Sequence, residues 1–266
     1  MTPGEIILHG QRLETAWWGP RPPAAPTLVL LHEGLGSVGL WRDTPERLAA
    51  ATGFGVFAYS RFGHGQSDPA SLPRPMTYMH DEALQFLPRV LDAAGIQRAI
   101  LVGHSDGGSI AAIYAGGVRD PRLAGIVLIA AHFFVEQLNI DSIARIRADF
   151  ETGELRARLA RHHADADATF RGWNDAWLDP RFRDFDITRY LPTITVPVLA
   201  LQGQDDPYGT PAQLDCLTRH VTVPLTTLLI PGARHAPHLE AKDATLTAIA
   251  DFARRELGSG GPVRAD

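Results

Sequence analysis

Short apolar runs recur along the chain, and segments of helical period fill the gaps between them. Residues 27–32, 55–60, 99–103, 125–131, 196–203 and 225–230 are dense in Val, Ile and Leu, as strands covered on both faces must be. Residues 41–51, 77–94, 107–116, 211–219 and 243–257 carry helical patterns. Strands alternating with helices of this length predict an α/β fold, with a mostly parallel sheet and helices on both faces. Residues 5–18 read as one or two antiparallel edge strands, joined to the first central strand through Pro20, Pro22, Pro23 and Pro26.

The alternation breaks once. From residue 132 to about 191 the sequence is charged, aromatic and helix-favouring, with no buried-strand pattern. A structureless loop of that length is improbable, so the segment reads as a helical insertion, or cap. Residues 1–131 and 192–257 then form one core, 132–191 the helical cap, and the Gly-rich residues 258–266 a flexible tail. A chain of 266 residues buries enough apolar surface to need no disulfide or metal. The single cysteine, Cys216, excludes an internal disulfide and a cysteine-based metal cluster, and it reads as a packing residue. A formal charge of −5 counts against a nucleic-acid partner. The first residues lack a signal-peptide pattern and the longest apolar run is too short for a bilayer, so a cytoplasmic protein without a membrane partner is expected. No G-x-G-x-x-G follows the first parallel strand, which argues against a dinucleotide. His162, His163, Asp165 and Asp167 read as a solvated stretch rather than metal ligands. No cofactor is expected.

The strongest local signal is Gly103-His104-Ser105-Asp106-Gly107-Gly108, which follows Ile100, Leu101 and Val102 and precedes a small-residue helix. A G-x-S-x-G segment between strand and helix is a nucleophile elbow. The glycines permit a strained turn where neighbouring backbone leaves no room for a side chain. The helix N-terminus then sets a backbone N–H beside the serine, where negative charge develops.

With this elbow the chain resembles the α/β-hydrolase superfamily over nearly its whole length, and three further motifs carry the resemblance. His32-Glu33-Gly34-Leu35-Gly36-Ser37 with Trp41 is similar to the family's oxyanion loop, and Gly63-His64-Gly65-Gln66-Ser67 to its Gly-x-Gly-x-Ser turn. Gly203-Gln204-Asp205-Asp206 looks like the segment that delivers the acid, and Gly232-Ala233-Arg234-His235 like the loop that carries the histidine. The resemblance implies an α/β-hydrolase fold with Ser105 as nucleophile, His235 as base and Asp206 as acid, with Asp205 the alternative acid and His238 the alternative base. The implied oxyanion donors are the N–H groups of Asp106 and Gly34, or of Leu35 if the loop is shifted by one residue. Glu33 stands where the family usually has glycine. A carboxylate in the hole would repel an oxyanion, so Glu33 is expected to face away, paired with Arg61 or Arg42, or to act on the substrate.

The activity implied is hydrolysis of a small-molecule carboxylic ester of short to medium acyl chain through an acyl-enzyme. Thioester, carbon–carbon and amino-acid-ester hydrolysis are alternatives with the same residues, the last because Ser-Asp-Gly-Gly is similar to the elbow of biphenyl-hydrolase-like proteins. A non-catalytic ligand-binding protein is the alternative of another class. Trp173, Trp177 and Phe185 are expected near the pocket mouth. Nothing in the sequence sets the oligomeric state.

Overall fold

The structure, a computed structural model, describes residues 1–258. Eight strands form one sheet: β1 (Thr2–Leu8), β2 (Gln11–Trp18), β3 (Thr27–Leu31), β4 (Gly55–Tyr59), β5 (Ala99–His104), β6 (Leu123–Ile129), β7 (Val198–Gly203) and β8 (Leu225–Ile230). Their spatial order is β1-β2-β4-β3-β5-β6-β7-β8. β1 and β2 pair antiparallel, as does β2 with β4, and the other neighbours are parallel. This is the α/β-hydrolase architecture expected from the sequence.

Strand alternation explains the two apolar layers. Val29, Leu31 and Leu101 face one layer, while Leu28, Leu30, Ile100 and Val102 face the other, so the central strands are apolar throughout. α1 (Thr44–Thr52) covers the second face, with Leu48 fully buried. The first face takes α2 (Tyr78–Asp81) and α3 (Leu87–Ala93), joined by a π-helical turn over Glu82–Phe86, and α4 (Asp106–Gly117).

Between β6 and β7 lie α5 (Gln137–Glu151), α6 (Glu154–Leu159) and α7 (Ala166–Leu178). Here Phe150 stacks on Phe170 at 3.8 Å and Phe182 on Phe185 at 4.9 Å. α8 (Ala212–His220) precedes β8, and α9 (Pro237–Glu240) leads to α10 (Lys242–Gly258), which packs beside α1 through Leu246, Ile249 and Phe252.

Three expectations are corrected. β8 is not covered on both faces: Leu228 and Leu229 are exposed, because β8 is the sheet edge and pairs only with β7. The helix expected over 41–51 starts at Thr44, since Val38–Trp41 is a 3₁₀ turn. The stretch 77–94 is broken by the π-helical turn, which sets the buried Glu82 against the Tyr59 hydroxyl at 2.5 Å. The tail expected from Gly258 falls outside the described residues from 259 on, and Gly258 itself closes α10. Among the described residues no helix is long and apolar enough to cross a membrane.

Candidate active site

The polar residues of interest sit at the carboxyl ends of the parallel strands, where side chains leave the sheet without disturbing its ladder. Ser105 follows β5 with φ +52° and ψ −118° and caps α4. The strain is held by its neighbours: a Cβ on Gly103 would lie 2.1 Å from the Gly107 carbonyl oxygen, and one on Gly107 only 1.9 Å from that of Leu31. Asp206 follows β7, and His235 lies in the loop between β8 and α9.

These three side chains form one hydrogen-bonded line. The Ser105 hydroxyl donates to His235 Nε2 at 2.9 Å, and His235 Nδ1–H donates to both Asp206 oxygens at 2.9 and 3.0 Å. The Tyr208 N–H adds a second donor to Asp206 at 2.9 Å. Burial pushes the Asp206 carboxyl up, but the hydrogen bond and charge of His235, with the Tyr208 N–H, outweigh it and leave it below its ordinary value. Asp205 is exposed, with no such contact. His238 makes no bond to Ser105. It is buried edge-on against His104 at 4.7 Å, and burial, with the charges of His235 and Lys242, pushes it down to about 3.

The loop after β3 is held by groups from two other segments, the turn after β4 and the insertion. Glu33's carbonyl accepts from His32 Nδ1–H at 2.7 Å and from Arg61 Nη2 at 3.0 Å, while Arg61 Nη1 donates to the His32 carbonyl at 2.6 Å. His64 Nε2–H donates to the Gly34 carbonyl at 3.0 Å, and His163 Nε2–H to that of Leu35 at 2.9 Å. Burial pushes all three histidines below their ordinary value, so each is a neutral donor. In a planar trans peptide the C=O and the next N–H point in opposite directions. Fixing Glu33's carbonyl therefore aims the Gly34 N–H. The Leu35 N–H is taken by the Glu33 carboxylate, whereas among the described residues the Gly34 N–H has no acceptor. The Asp106 N–H, at the first position of α4, has no intrahelical acceptor either.

Glu33 itself does not face away. It makes no ion pair with Arg61 or Arg42; it lines the cavity in front of Ser105 and folds back on Leu35. Burial pushes its carboxyl up, the nearby Asp106 pushes the same way, and the Leu35 N–H, Arg61 and His235 offset part of this. Asp106 is buried behind it, accepting from the Tyr78 hydroxyl at 2.5 Å. Burial raises its carboxyl too, against the pull of Arg61, Tyr78 and Trp177.

The cavity measures about 500 Å³. Its walls include Ile143, Ile146, Leu155, Leu159, Trp173 and Trp177 from the inserted helices. Phe185, expected near the mouth, instead stacks on Phe182 inside the insertion. His163, read as solvated, is buried and joins the loop after β3 to the Gly65 N–H, which donates to its Nδ1 at 2.9 Å.

Sequence reasoning missed His132, and Arg61, one of the two partners offered for the Glu33 carboxylate, bonds the His32 and Glu33 backbone carbonyls instead. His132 stacks on His235 at 5.8 Å, and burial, with the charge of His235, pushes it down to about 3. Its position just past a central strand was the available signal.

With this fold and this site, the chain belongs to the α/β-hydrolase family: the family model for the α/β-hydrolase fold matches residues 26–190, more than half of it. It is 28% identical over 218 residues to a bifunctional esterase/perhydrolase of Acinetobacter calcoaceticus, a match covering 71% of this chain and 76% of that protein. It is 30% identical over 220 residues to a non-heme chloroperoxidase of Streptomyces lividans, with the same two coverages. The fold is similar to the crystal structure of a proline iminopeptidase from Mycobacterium smegmatis, with a TM-score of 0.74 at 20% identity, covering 96% of this chain and 98% of that one.

Proposed function

We propose that this hydrolase cleaves carboxylic esters of short to medium acyl chain through an acyl-enzyme. The observation that carries the proposal is the unbroken line from Ser105 through His235 to Asp206, opening on a largely apolar cavity. Serine is a weak nucleophile until a base takes its proton. In this reading Ser105 Oγ attacks the ester carbonyl carbon as its proton passes to His235 Nε2, and Asp206 stabilises the imidazolium. The carbonyl oxygen, now an oxyanion, accepts from the Gly34 and Asp106 N–H groups. The tetrahedral intermediate collapses, the alcohol leaves with the proton from His235, and the acyl group stays on Ser105. Water, deprotonated by His235, then releases the acid.

A second reading, hydrolysis of amino-acid esters, is favoured by Glu33 and Asp106. Both line the cavity and both carry carboxyl groups, which would attract the ammonium of an aminoacyl group. Expectations of a cytoplasmic setting and of a reaction without metal or cofactor belong to the same proposal.

The test is a series of p-nitrophenyl esters from acetate to palmitate, with aminoacyl esters alongside and fluorophosphonate labelling of Ser105. An enclosed cavity gains about 0.8 kcal/mol per buried methylene until space runs out. kcat/KM is therefore expected to peak at butyryl or hexanoyl and to drop about tenfold or more by decanoyl. An optimum at decanoyl or longer removes the short-chain assignment. A protein that neither turns over any ester nor takes the label is a binding protein on this fold.

A further inference from the structure

The exposed residues that line the cavity do not match its buried, apolar ones. Most arginines of this chain are engaged: Arg47 by Asp243, Arg122 by Asp120, Arg147 by Asp175 and Arg156 by Asp167. Arg42, Arg158 and Arg161 all line the cavity and are exposed. Among the described residues no hydrogen bond or ion pair engages any of their guanidinium groups. The contrast is sharp along one helix. Arg156, on α6, is tied by two hydrogen bonds to Asp167, whereas Arg158, on the same helix, and Arg161, just beyond it, are left to the cavity. Arg42 approaches from the core, directly after the 3₁₀ turn that ends at Trp41. The cavity's own carboxylates, Glu33 and Asp106, belong to the loop after β3 and to the elbow; Glu33 is half-buried and Asp106 is buried. In a chain of net charge −5, three unpaired, exposed cations lining one cavity make a local field that selects for anions.

We infer that the substrate carries an oxyanion, a carboxylate or a phosphate, at the end that projects from the cavity, held jointly by Arg42, Arg158 and Arg161. The inference rests on the ester-hydrolase reading for the bond cleaved, but not for the binding it describes. Guanidinium groups suit this task because they are always charged and present paired N–H donors that match carboxylate and phosphate oxygens. The cavity that holds Ser105 and the arginines also carries the apolar side chains of Ile143, Ile146, Leu155 and Leu159. The fitting molecule is thus an ester with an apolar middle and a charged far end. Because Arg42 belongs to the core and the other two to the insertion, the anion would also tie these two parts of the molecule together.

The experiment compares substrates that differ only in this charge, at low and at high salt. p-Nitrophenyl hexanoate and mono-p-nitrophenyl adipate place the charge on the acyl end. Hexanoyl esters of 1-butanol, 4-hydroxybutyrate and 3-hydroxypropyl phosphate place it on the alcohol end and separate carboxylate from phosphate. Three exposed ion contacts, each worth a factor of about two to five at low salt, predict a kcat/KM about ten- to a hundredfold higher for the anionic member in one of these arms. That ratio, taken within each variant, should fall towards one in Arg158→Gln/Arg161→Gln, partly in Arg42→Gln, and in 0.5 M NaCl, where screening reaches about 4 Å. Neutral esters turned over as fast as their anionic partners in both arms overturn the inference and leave ester hydrolysis standing. If no ester is cleaved, the ester reading fails, and calorimetric titration of Ser105→Ala with the hexanoate and adipate esters still decides the anion site. Tighter binding of the adipate ester supports the site, and equal binding overturns it.

Discussion

The floor of the cavity and its walls are built on different principles. On the floor, polar groups are held by backbone and by one another: Ser105 by a strained elbow, Gly34 by a carbonyl clamped from two sides, and Asp206 by His235 and the Tyr208 N–H. Little there can shift without breaking a buried hydrogen bond. The walls are apolar side chains from the inserted helices, whose aromatics mostly pack on each other, as Phe150 does on Phe170. Polar links join the two parts near the site: His163 Nε2–H donates to the Leu35 carbonyl at 2.9 Å, and the Trp177 indole N–H donates to the Tyr78 hydroxyl at 3.0 Å, which in turn holds Asp106. A rigid floor suits a single reaction with fixed geometry, and a wall of packed side chains suits selection among substrates. If that division holds, floor substitutions should lower kcat for every substrate, and wall substitutions should change the ranking of substrates.

The largest effect is expected at Ser105, the proposed nucleophile. Ser105→Ala should cost on the order of a millionfold in kcat for all esters alike, with the melting temperature held or raised because the side chain is small. Retention of even a tenth of the rate in the folded variant would remove Ser105 from its role. Next comes Asp206, the proposed acid. Asp206→Asn should cost about ten-thousandfold by favouring the wrong imidazole tautomer, while the exposed Asp205→Asn should stay within a few-fold of wild type. Steady-state assays giving the reverse ranking would move the acid.

Much of the floor was readable because each part needs a particular residue at a particular place in the chain. A strand–turn–helix with glycines at 103 and 107 admits few explanations, and the order of strands and helices followed from the two-sided burial of Val29, Leu101 and their neighbours. The clamps on the oxyanion loop were not readable. His64 and His163 lie 30 and 128 residues from the carbonyls they hold, and no local pattern encodes such a pairing. Arg61 invited a carboxylate partner, yet it bonds two carbonyls, because the chain turn after β4 brings it beside the end of β3. The walls were less readable still. Trp177 and Phe185 have the same character in sequence, and only packing decides that one lines the cavity and the other does not.

Arg61 tests whether the floor depends on its clamps. Arg61→Lys keeps the charge but cannot reach both the His32 and Glu33 carbonyls with one planar fork. Loss of one aligned oxyanion donor costs about a hundredfold or more in kcat, and a loosened Gly34 should approach that figure with KM little changed. A change confined to KM would mean that Arg61 serves the substrate and not the hole.

Glu33 is where floor and wall meet, and the effect expected there is the smallest. Its carboxylate accepts the Leu35 N–H, a task that the glutamine carbonyl can also perform, so Glu33→Gln should leave the loop in place and remove only the charge. A negative group sharing the cavity with a developing oxyanion opposes it, so the variant should hydrolyse neutral esters about threefold faster. Aminoacyl esters, whose ammonium would be attracted by the same charge, should slow instead. The pH dependence follows from the direction of the shift. Burial pushes the Glu33 carboxyl above its ordinary value of 4.5, so the wild-type group is charged only above that raised titration. Above it the gap between variant and wild type is full; as pH falls through it, the wild-type carboxyl becomes neutral like the amide and the gap closes. Measured from pH 4 to 8 on p-nitrophenyl butyrate, a ratio that stays constant, or a variant slower than wild type at neutral pH, would show that the Glu33 charge does not act on the oxyanion.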